Sequence, residues 1–536
     1  MVVPELRPWR AARPHVVRIA GAVRPRLARA ADSVRPHLAR AAAAAGPRIT
    51  RLARTVRPQT PRTQRTWQYT ARAATAGLAL AAGVVTAAGP WDSSGQRKAE
   101  RDWAAAQERA GGTDHHGTSA TKPTPPPAPS APAVLTGLGG AGQAVKAAPN
   151  GKALADVLDP LLTSPALGTR NAAAVVDVAT GQRLYGTGSG TALTPASTTK
   201  IATAVAALSA LGADHRLITR AALEPDTGEV VLVGGGDPTL TARADADGAA
   251  SLRTLADETA GALAQRGIRE VTLSYDTTLY AGPERHPIGV NDNLAPVTAL
   301  MTDEGRTDDS TSGPAPRVPD PAAHAARTFG DLLQDRGIKT KAPGPSKATT
   351  RAQTLATVSS PPLSALVERM LTHSDNDIAE ALARQTAIAT GKRADFAGAS
   401  EAITAQLAEL GLPLEGAAVQ DGSGLNRADR LTADLLTSLL RLSADPTRPD
   451  LRPVLTGLPI AGFTGTLTSR YSDGAAGVVR AKTGTLTGVN ALAGTVVDQN
   501  GRLLAFAFLA TGTADPTTAQ TAMDKAATAL AGCGCR

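Results

Sequence analysis

Three short strings occur in fixed order along this chain: Ser197-Thr198-Thr199-Lys200, Ser374-Asp375-Asn376 and Lys482-Thr483-Gly484. They constrain the fold because groups 177 (374 − 197) and 108 (482 − 374) residues apart must meet if they act together. Each string is weak alone. Ser119-Ala120-Thr121-Lys122 repeats the first pattern inside a Pro-rich stretch with no helix after it. Thr464-Gly465-Thr466 repeats the T-G-T of the third with Phe463 where Lys482 stands, so it lacks the cation. An isolated S-D-N reads first as a helix N-cap.

Taken together, the strings supply a coherent chemistry. Ser197 and Lys200 lie three apart at an expected helix start, so their side chains share one face. A serine hydroxyl is a poor nucleophile until a base takes its proton. Lys200 can be that base if burial and a neighbouring cation lower its pKa towards neutrality. The helix N-terminus offers backbone N–H groups where an oxyanion forms. Ser374 is suited to relay a proton between Lys200 and a leaving amine, and the Asn376 amide to grip a peptide carbonyl. Lys482 with the hydroxyls of Thr483 and Thr485 can hold a free carboxylate through charge-assisted hydrogen bonds. Gly484 is expected to admit substrate backbone.

The formal charge of +9 conceals a division. Residues 1–72 carry 16 Arg against Glu5 and Asp32, or 16 − 2 = +14, so residues 73–536 sum to 9 − 14 = −5. A nucleic-acid-binding enzyme carries its basic surface on the folded part, so no nucleic-acid partner is expected. Within the basic segment Pro14, Pro25, Pro36, Pro47 and Pro58 recur every eleven residues. That period keeps one helical face in register although Pro interrupts the helix. Both a solvated Arg-rich tail and short amphipathic turns on anionic membrane lipid fit the pattern. Residues 73–89 are a charge-free apolar run, the short end of a membrane span. The arginine bias puts the N-terminus inside and the bulk of the chain outside, a single-pass signal-anchor. A cleaved signal peptide, which would leave a secreted protein, is the competing reading.

Residues 90–145 are a Pro/Gly-rich linker. The folded part is expected from about Gly151, with 146–215 and 351–531 as one domain and 216–350 as an inserted α/β domain. A hairpin turns at Thr180-Gly181, and a helix carries Ile201, Val205, Leu208 and Leu211 at helical spacing. In the insert a hairpin crosses Pro225–Gly228, helices span Leu252–Gln265 and His324–Arg336, and EVTLSY is a strand. From Leu363 the pattern is mainly helical with a break at His373–Asn376, and the end returns to a β-meander followed by a helix over Thr517–Leu530. Aromatic residues are only 3%, so the cores are expected to be Ala, Leu and Val. Two cysteines, Cys533 and Cys535, exclude a disulfide framework, and no Cys/His cluster has zinc-ligand spacing. His115-His116 reads as solvated linker.

Further strings sharpen the set: GGGDPTL (Gly234–Leu240), SPPL (Ser360–Leu363), SDNDIAEAL (Ser374–Leu382), DGSGLNR (Asp421–Arg427) and LPIAGFTGTLTSR (Leu458–Arg470). With these, the chain resembles the low-molecular-mass class C penicillin-binding proteins, the D-alanyl-D-alanine carboxypeptidase/endopeptidase family, over about residues 150–530. The resemblance implies an α/β (α+β) penicillin-recognising, β-lactamase-like domain: an antiparallel sheet with flanking helices, a helical subregion and an inserted α/β domain. It implies Ser197 as acyl-enzyme nucleophile, Lys200 as general base and Ser374 as proton relay. Asn376, Lys482, Thr483 and Thr485 are the implied substrate contacts, with backbone N–H of Ser197 and Thr485 as the oxyanion hole. Peptidoglycan stem peptides are the implied substrates and β-lactams covalent inhibitors, with no metal or organic cofactor. The 177-residue interval implies one reduced insert rather than two domains, and the basic N-terminal region lies outside the resemblance.

Two alternatives remain. A class A β-lactamase needs a Glu within E-x-x-L-N to activate the deacylating water; here Leu425-Asn426 is present but Gly422 occupies the Glu position. A non-catalytic, membrane-tethered penicillin-binding or scaffold protein would keep the polar residues without turnover.

Overall fold

The structure, a computed structural model, describes residues 151–341, 343–471 and 474–534. The basic segment, the apolar run 73–89, the whole linker and the Ser119–Lys122 string lie outside the described residues, as does Cys535. Among the described residues no helix is long and apolar enough to cross a membrane.

The chain opens with α1 (Gly151–Leu162), then β1 (Arg170–Asp177) and β2 (Arg183–Thr187), and reaches α2 (Thr199–Leu211) through a 3-10 turn over Ala196–Thr198. Next come β3 (Ile218–Leu223), β4 (Glu229–Val233), α3 (Leu252–Gln265), β5 (Glu270–Asp276) and α4 (Pro321–Asp335). Two-residue strands β6 (Lys339–Thr340) and β7 (Gly344–Pro345) precede β8 (Gln353–Ser359). Helices α5 (Leu363–His373), α6 (Asn376–Ala389), α7 (Phe396–Glu409) and α8 (Ala433–Ser443) follow. The chain ends in β9 (Val479–Leu486), β10 (Val489–Val497), β11 (Leu503–Thr511) and α9 (Pro516–Ala531).

The first sheet is antiparallel throughout, in the order β2-β1-β11-β10-β9. Its central strand β11 reads as an unbroken apolar run because both faces are covered. Leu504, Phe506, Phe508 and Ala510 pack in one core with Leu154, Leu158 and Met523 of α1 and α9. Ala505, Ala507 and Leu509 pack on the other side with Ile201 and Val205 of α2 and Leu436 and Leu440 of α8. Period-two alternation thus feeds two cores from one strand. Ala172, Ala174, Ala505 and Ala507 in the second of these let the helices approach the sheet closely.

The second sheet runs β6-β5-β4-β3-β8 and mixes parallel and antiparallel pairs. Leu252, Leu255 and Leu263 of α3, with Phe329 and Leu333 of α4, cover it. Strand β8 belongs here, paired antiparallel with β3, so the sheet ends at Ser359 and not at the expected boundary of 350. The sequence boundary followed the Ala/Pro/Lys loop, but the chain uses that loop to return into the same sheet. The two ends of this region meet: Leu217 N–H donates to Ser360 Oγ at 2.9 Å, and Ser360 N–H to the Leu217 carbonyl at 2.9 Å.

Candidate active site

Ser197 sits in the 3-10 turn that leads into α2, after Ala196 at φ 48°. A left-handed conformation is costly for a residue with a Cβ, so the surrounding packing must hold it. The turn is gripped by β9. A Cβ at Gly484 would lie 2.6 Å from the Pro195 carbonyl oxygen, so the glycine admits the nucleophile's own turn rather than the expected substrate backbone.

The second string carries both of its readings at once. Asp375 is the N-cap of α6, its carboxylate accepting from Ile378 N–H at 3.0 Å. Ser374 closes α5 at φ 59°, ψ 40°. The cap thereby fixes the break from which Ser374 and Asn376 face a cleft of about 280 Å³, lined also by Ser197, Leu425, Thr483 and Thr485. All three strings meet there.

Lys200 is fully buried, and its Nζ has three neighbours: Ser197 Oγ at 3.1 Å, Asn376 Oδ1 at 2.6 Å and the Ser423 carbonyl at 2.6 Å. A neutral amine has two N–H bonds and one lone pair. Asn376 Oδ1 and the Ser423 carbonyl can only accept, so both N–H bonds go to them and the lone pair is left for the Ser197 hydroxyl hydrogen. Burial lowers the Lys200 pKa to about 8, against the opposing pull of Asp421, Glu380, Asp375 and Asp429.

Lys482 is also fully buried, donating to Ser374 Oγ at 2.9 Å and to the Thr483 carbonyl at 2.7 Å. Burial, then the charge of Lys200, push its pKa well down. One sequence expectation changes here and one is narrowed. The Ser374 hydroxyl accepts from Lys482, not from Lys200. Asn376 spends one amide hydrogen on the Asn293 carbonyl at 2.9 Å and its oxygen on Lys200, leaving one hydrogen for a substrate carbonyl.

The expected oxyanion donors occupy suitable backbone positions. Ser197 lies in the first turn of a helical segment, where N–H groups have no intrahelical partner. On β9, Ala481 N–H donates away from β10 to the Pro459 carbonyl. The two-residue period sends Thr483 and Thr485 N–H to that same open edge.

Several neighbours were set aside or missed by local sequence reading. Thr466, from the T-G-T string set aside for lacking a cation, lines the cleft with its Oγ1 2.9 Å from Thr483 Oγ1. His286 is buried below the base; its Nδ1 accepts from Ile288 N–H, so Nε2 donates to Asp421 Oδ2 at 2.9 Å. Asp421 in turn accepts from Gly424 and Asn426 N–H and so shapes the turn carrying the Ser423 carbonyl. Under the second string, Glu304 meets Arg306 at 2.7 Å and Arg369 at 2.8 Å, and Arg317 meets Asp377 at 3.1 Å. Asp375 is raised well above the usual carboxylate range by burial, Glu304 and Asp377. Losing one partner of such a network leaves a buried charge uncompensated.

Comparison with known proteins gives a consistent picture. The model of the D-Ala-D-Ala carboxypeptidase 3 (S13) family matches residues 154–316 and 309–530. Carboxypeptidase DacB of Mycolicibacterium smegmatis is 38% identical over 406 residues, spanning 72% of this chain and 85% of that protein. A D-alanyl-D-alanine carboxypeptidase of an Actinomadura species is 31% identical over 462 residues, spanning 68% and 82%. Among solved structures, penicillin binding protein 4 of Haemophilus influenzae superposes with a TM-score of 0.58 at 22% identity, covering 70% of this chain and 98% of that one.

Proposed function

This chain belongs to the D-Ala-D-Ala carboxypeptidase 3 (S13) family, and from that premise we propose how its site works. It is a penicillin-binding serine carboxypeptidase that removes the terminal D-Ala of peptidoglycan stem peptides through an ester on Ser197. The observation that carries the mechanism is the triple contact of Lys200, which aims its lone pair at Ser197.

In acylation, Ser197 Oγ attacks the penultimate D-Ala carbonyl while its proton passes to neutral Lys200. The developing oxyanion lies against the N–H groups of Ser197 and Thr485. The departing amine takes a proton from Ser374, whose hydroxyl is resupplied by Lys482 in its charged form. Hydrolysis reverses each transfer: water yields its proton to Ser374 and Lys482, and Lys200 returns one to Ser197. Both lysines end as they began. A β-lactam enters the same ester, and the chain has no glutamate at position 422 to deprotonate a hydrolytic water.

Lys482 must be charged for this cycle, yet burial and Lys200 favour its neutral form in the empty site. A substrate carboxylate beside it favours the ammonium. The sign follows for titration above about pH 8, where Lys200 is already neutral and cannot supply the proton: carboxylate binding is accompanied by proton uptake. Titration calorimetry of a D-Ala-D-Ala peptide into the non-cleaving Ser197→Ala variant, in two buffers of different ionisation enthalpy, should give different apparent heats. Equal heats would remove the charge switch from the mechanism.

The activity is read from mass spectra of products formed from defined muropeptides. Release of one D-Ala from a pentapeptide monomer is the carboxypeptidase outcome. Splitting of a D-Ala–diaminoacid cross-link would add endopeptidase action at the same site. Neither product, with wild-type protein that labels with penicillin, would reduce the chain to a receptor.

We also propose that residues 73–89 anchor the protein in the cell membrane, with the N-terminus cytoplasmic and the peptidase outside, where its substrate lies. The Arg excess of residues 1–72 supports this orientation, and the same segment is suited to contact anionic lipid. The linker over 90–145 gives the peptidase reach from the surface.

A further inference from the structure

The repeated T-G-T string has a place in the site. Residues Gly465–Leu467 form a 3-10 turn between the end of α5 and β9. Three contacts fix that turn. Gly465 has φ +53°, and a Cβ there would lie 2.0 Å from the Thr372 carbonyl oxygen. Thr464 Oγ1 accepts from Ile460 N–H at 2.9 Å, and Leu467 is fully buried. The turn therefore wedges against the last residues of α5, and Thr466 emerges into the cleft beside the third string.

Thr466 Oγ1 and Thr483 Oγ1 lie 2.9 Å apart. Each hydroxyl has one hydrogen to donate, so the pair makes one hydrogen bond, in either direction. If Thr483 donates to Thr466, it has nothing to offer an anion. If Thr466 donates to Thr483, the Thr483 hydrogen is free, and accepting a hydrogen bond makes that hydroxyl a stronger donor. We propose that Thr466 is a positioning residue for the substrate's terminal carboxylate, donating to Thr483 so that the Thr483 hydrogen turns to the anion. This rests on the carboxypeptidase reading above and adds to it a residue that acts on binding rather than on the acyl transfer itself.

The test compares Thr466→Val, which keeps the branched shape without the hydroxyl, with Thr466→Ser, which keeps the hydroxyl. On a peptide ending in D-Ala-D-Ala, Thr466→Val is expected to raise KM roughly fivefold with kcat within about twofold, as for loss of a ground-state contact. Thr466→Ser should restore KM to within about twofold. On the same peptide with a terminal carboxamide, wild type and Thr466→Val should have equal kcat/KM. The proposal is overturned if Thr466→Val has wild-type KM on the acid, or if its loss is the same on the carboxamide. Should wild type itself release no D-Ala, the carboxypeptidase reading falls and this inference with it; normal wild-type turnover with an unaffected variant removes the inference alone.

Discussion

Replacing Lys200 by methionine is expected to slow penicillin acylation of Ser197 by roughly 10²- to 10⁴-fold, the usual contribution of a positioned general base. That loss corresponds to about 3–5 kcal/mol of barrier. Methionine fills a similar volume in the buried site, so folding should survive. Lys200→Arg separates charge from basicity, because guanidinium stays protonated and offers no lone pair. It should be as inactive as the methionine variant, and Ser197→Ala should take no label. In wild type the acylation rate should rise with pH and level off above about 8, the value to which burial lowers Lys200. Below that pH the ammonium form dominates, and the rate should fall about tenfold per unit. Stopped-flow labelling with a fluorescent penicillin across pH reads all of this. A methionine or arginine variant within tenfold of wild type would mean that another group takes the Ser197 proton.

The second large effect concerns Gly422, the position at which a class A β-lactamase would carry its water-activating glutamate. Gly422→Glu is expected to unfold the site rather than confer antibiotic hydrolysis. A Cβ at 422 would meet the Ala379 carbonyl oxygen at 2.5 Å and Ala383 Cβ at 2.7 Å, both on α6. The backbone cannot step aside: Thr203 Oγ1 donates to the Gly422 carbonyl at 2.7 Å, and Ser423 N–H to Glu380 Oε1 at 2.9 Å. A new carboxylate would also be buried between Glu380 and Asp421. Overpacking of about 1–3 kcal/mol and an unpaired buried charge add in the same direction. A fall in Tm of at least about 10 °C, or insoluble protein, is expected. Glu380 does not substitute for the missing base, since it is fully buried and raised by burial and Asp421. The wild-type penicilloyl ester should therefore persist. Rapid turnover of a chromogenic cephalosporin by wild type, or by a well-folded Gly422→Glu variant, would contradict this account of why the site is a peptidase.

What could be read from the sequence was what is local. The helix over Leu252–Gln265 appears with its expected bounds because its apolar period is intact and Ser251 caps it. The hairpins and the terminal meander follow from turn residues between apolar runs. Helix α1 was not read, since Pro160 interrupts its pattern. The short return strand β8, half exposed, lacks the apolar run that marked the other strands. The three strings named the residues at the base and the cleft. Their partners were hidden for a physical reason: Ser374 with Lys482, Asn376 with Asn293 and His286 with Asp421 are pairs 108, 83 and 135 residues apart. No periodicity encodes such pairs. Thr466 was visible as a pattern and misjudged, because the missing cation mattered less than the hydroxyl it brings beside Thr483.

The region from Ile218 to Ser359 looks made for excision. Its ends are already stitched by Leu217 and Ser360, so a protein engineer could close the gap with a short join, although Arg369 and buried Asp377 on the remaining helices would then lose Glu304 and Arg317. Such a minimal enzyme should nonetheless be chemically crippled. Two residues carried inside the excised loop hold the floor of the site: His286 braces the turn that presents the Ser423 carbonyl to the base, and the Asn293 carbonyl steadies the amide that does the same from the other side. Topology makes this region look detachable, and its hydrogen bonds and ion pairs beneath the site make it part of the catalyst. Shortening or grafting within this fold is therefore limited less by where the chain enters and leaves than by what the loop touches at its far end.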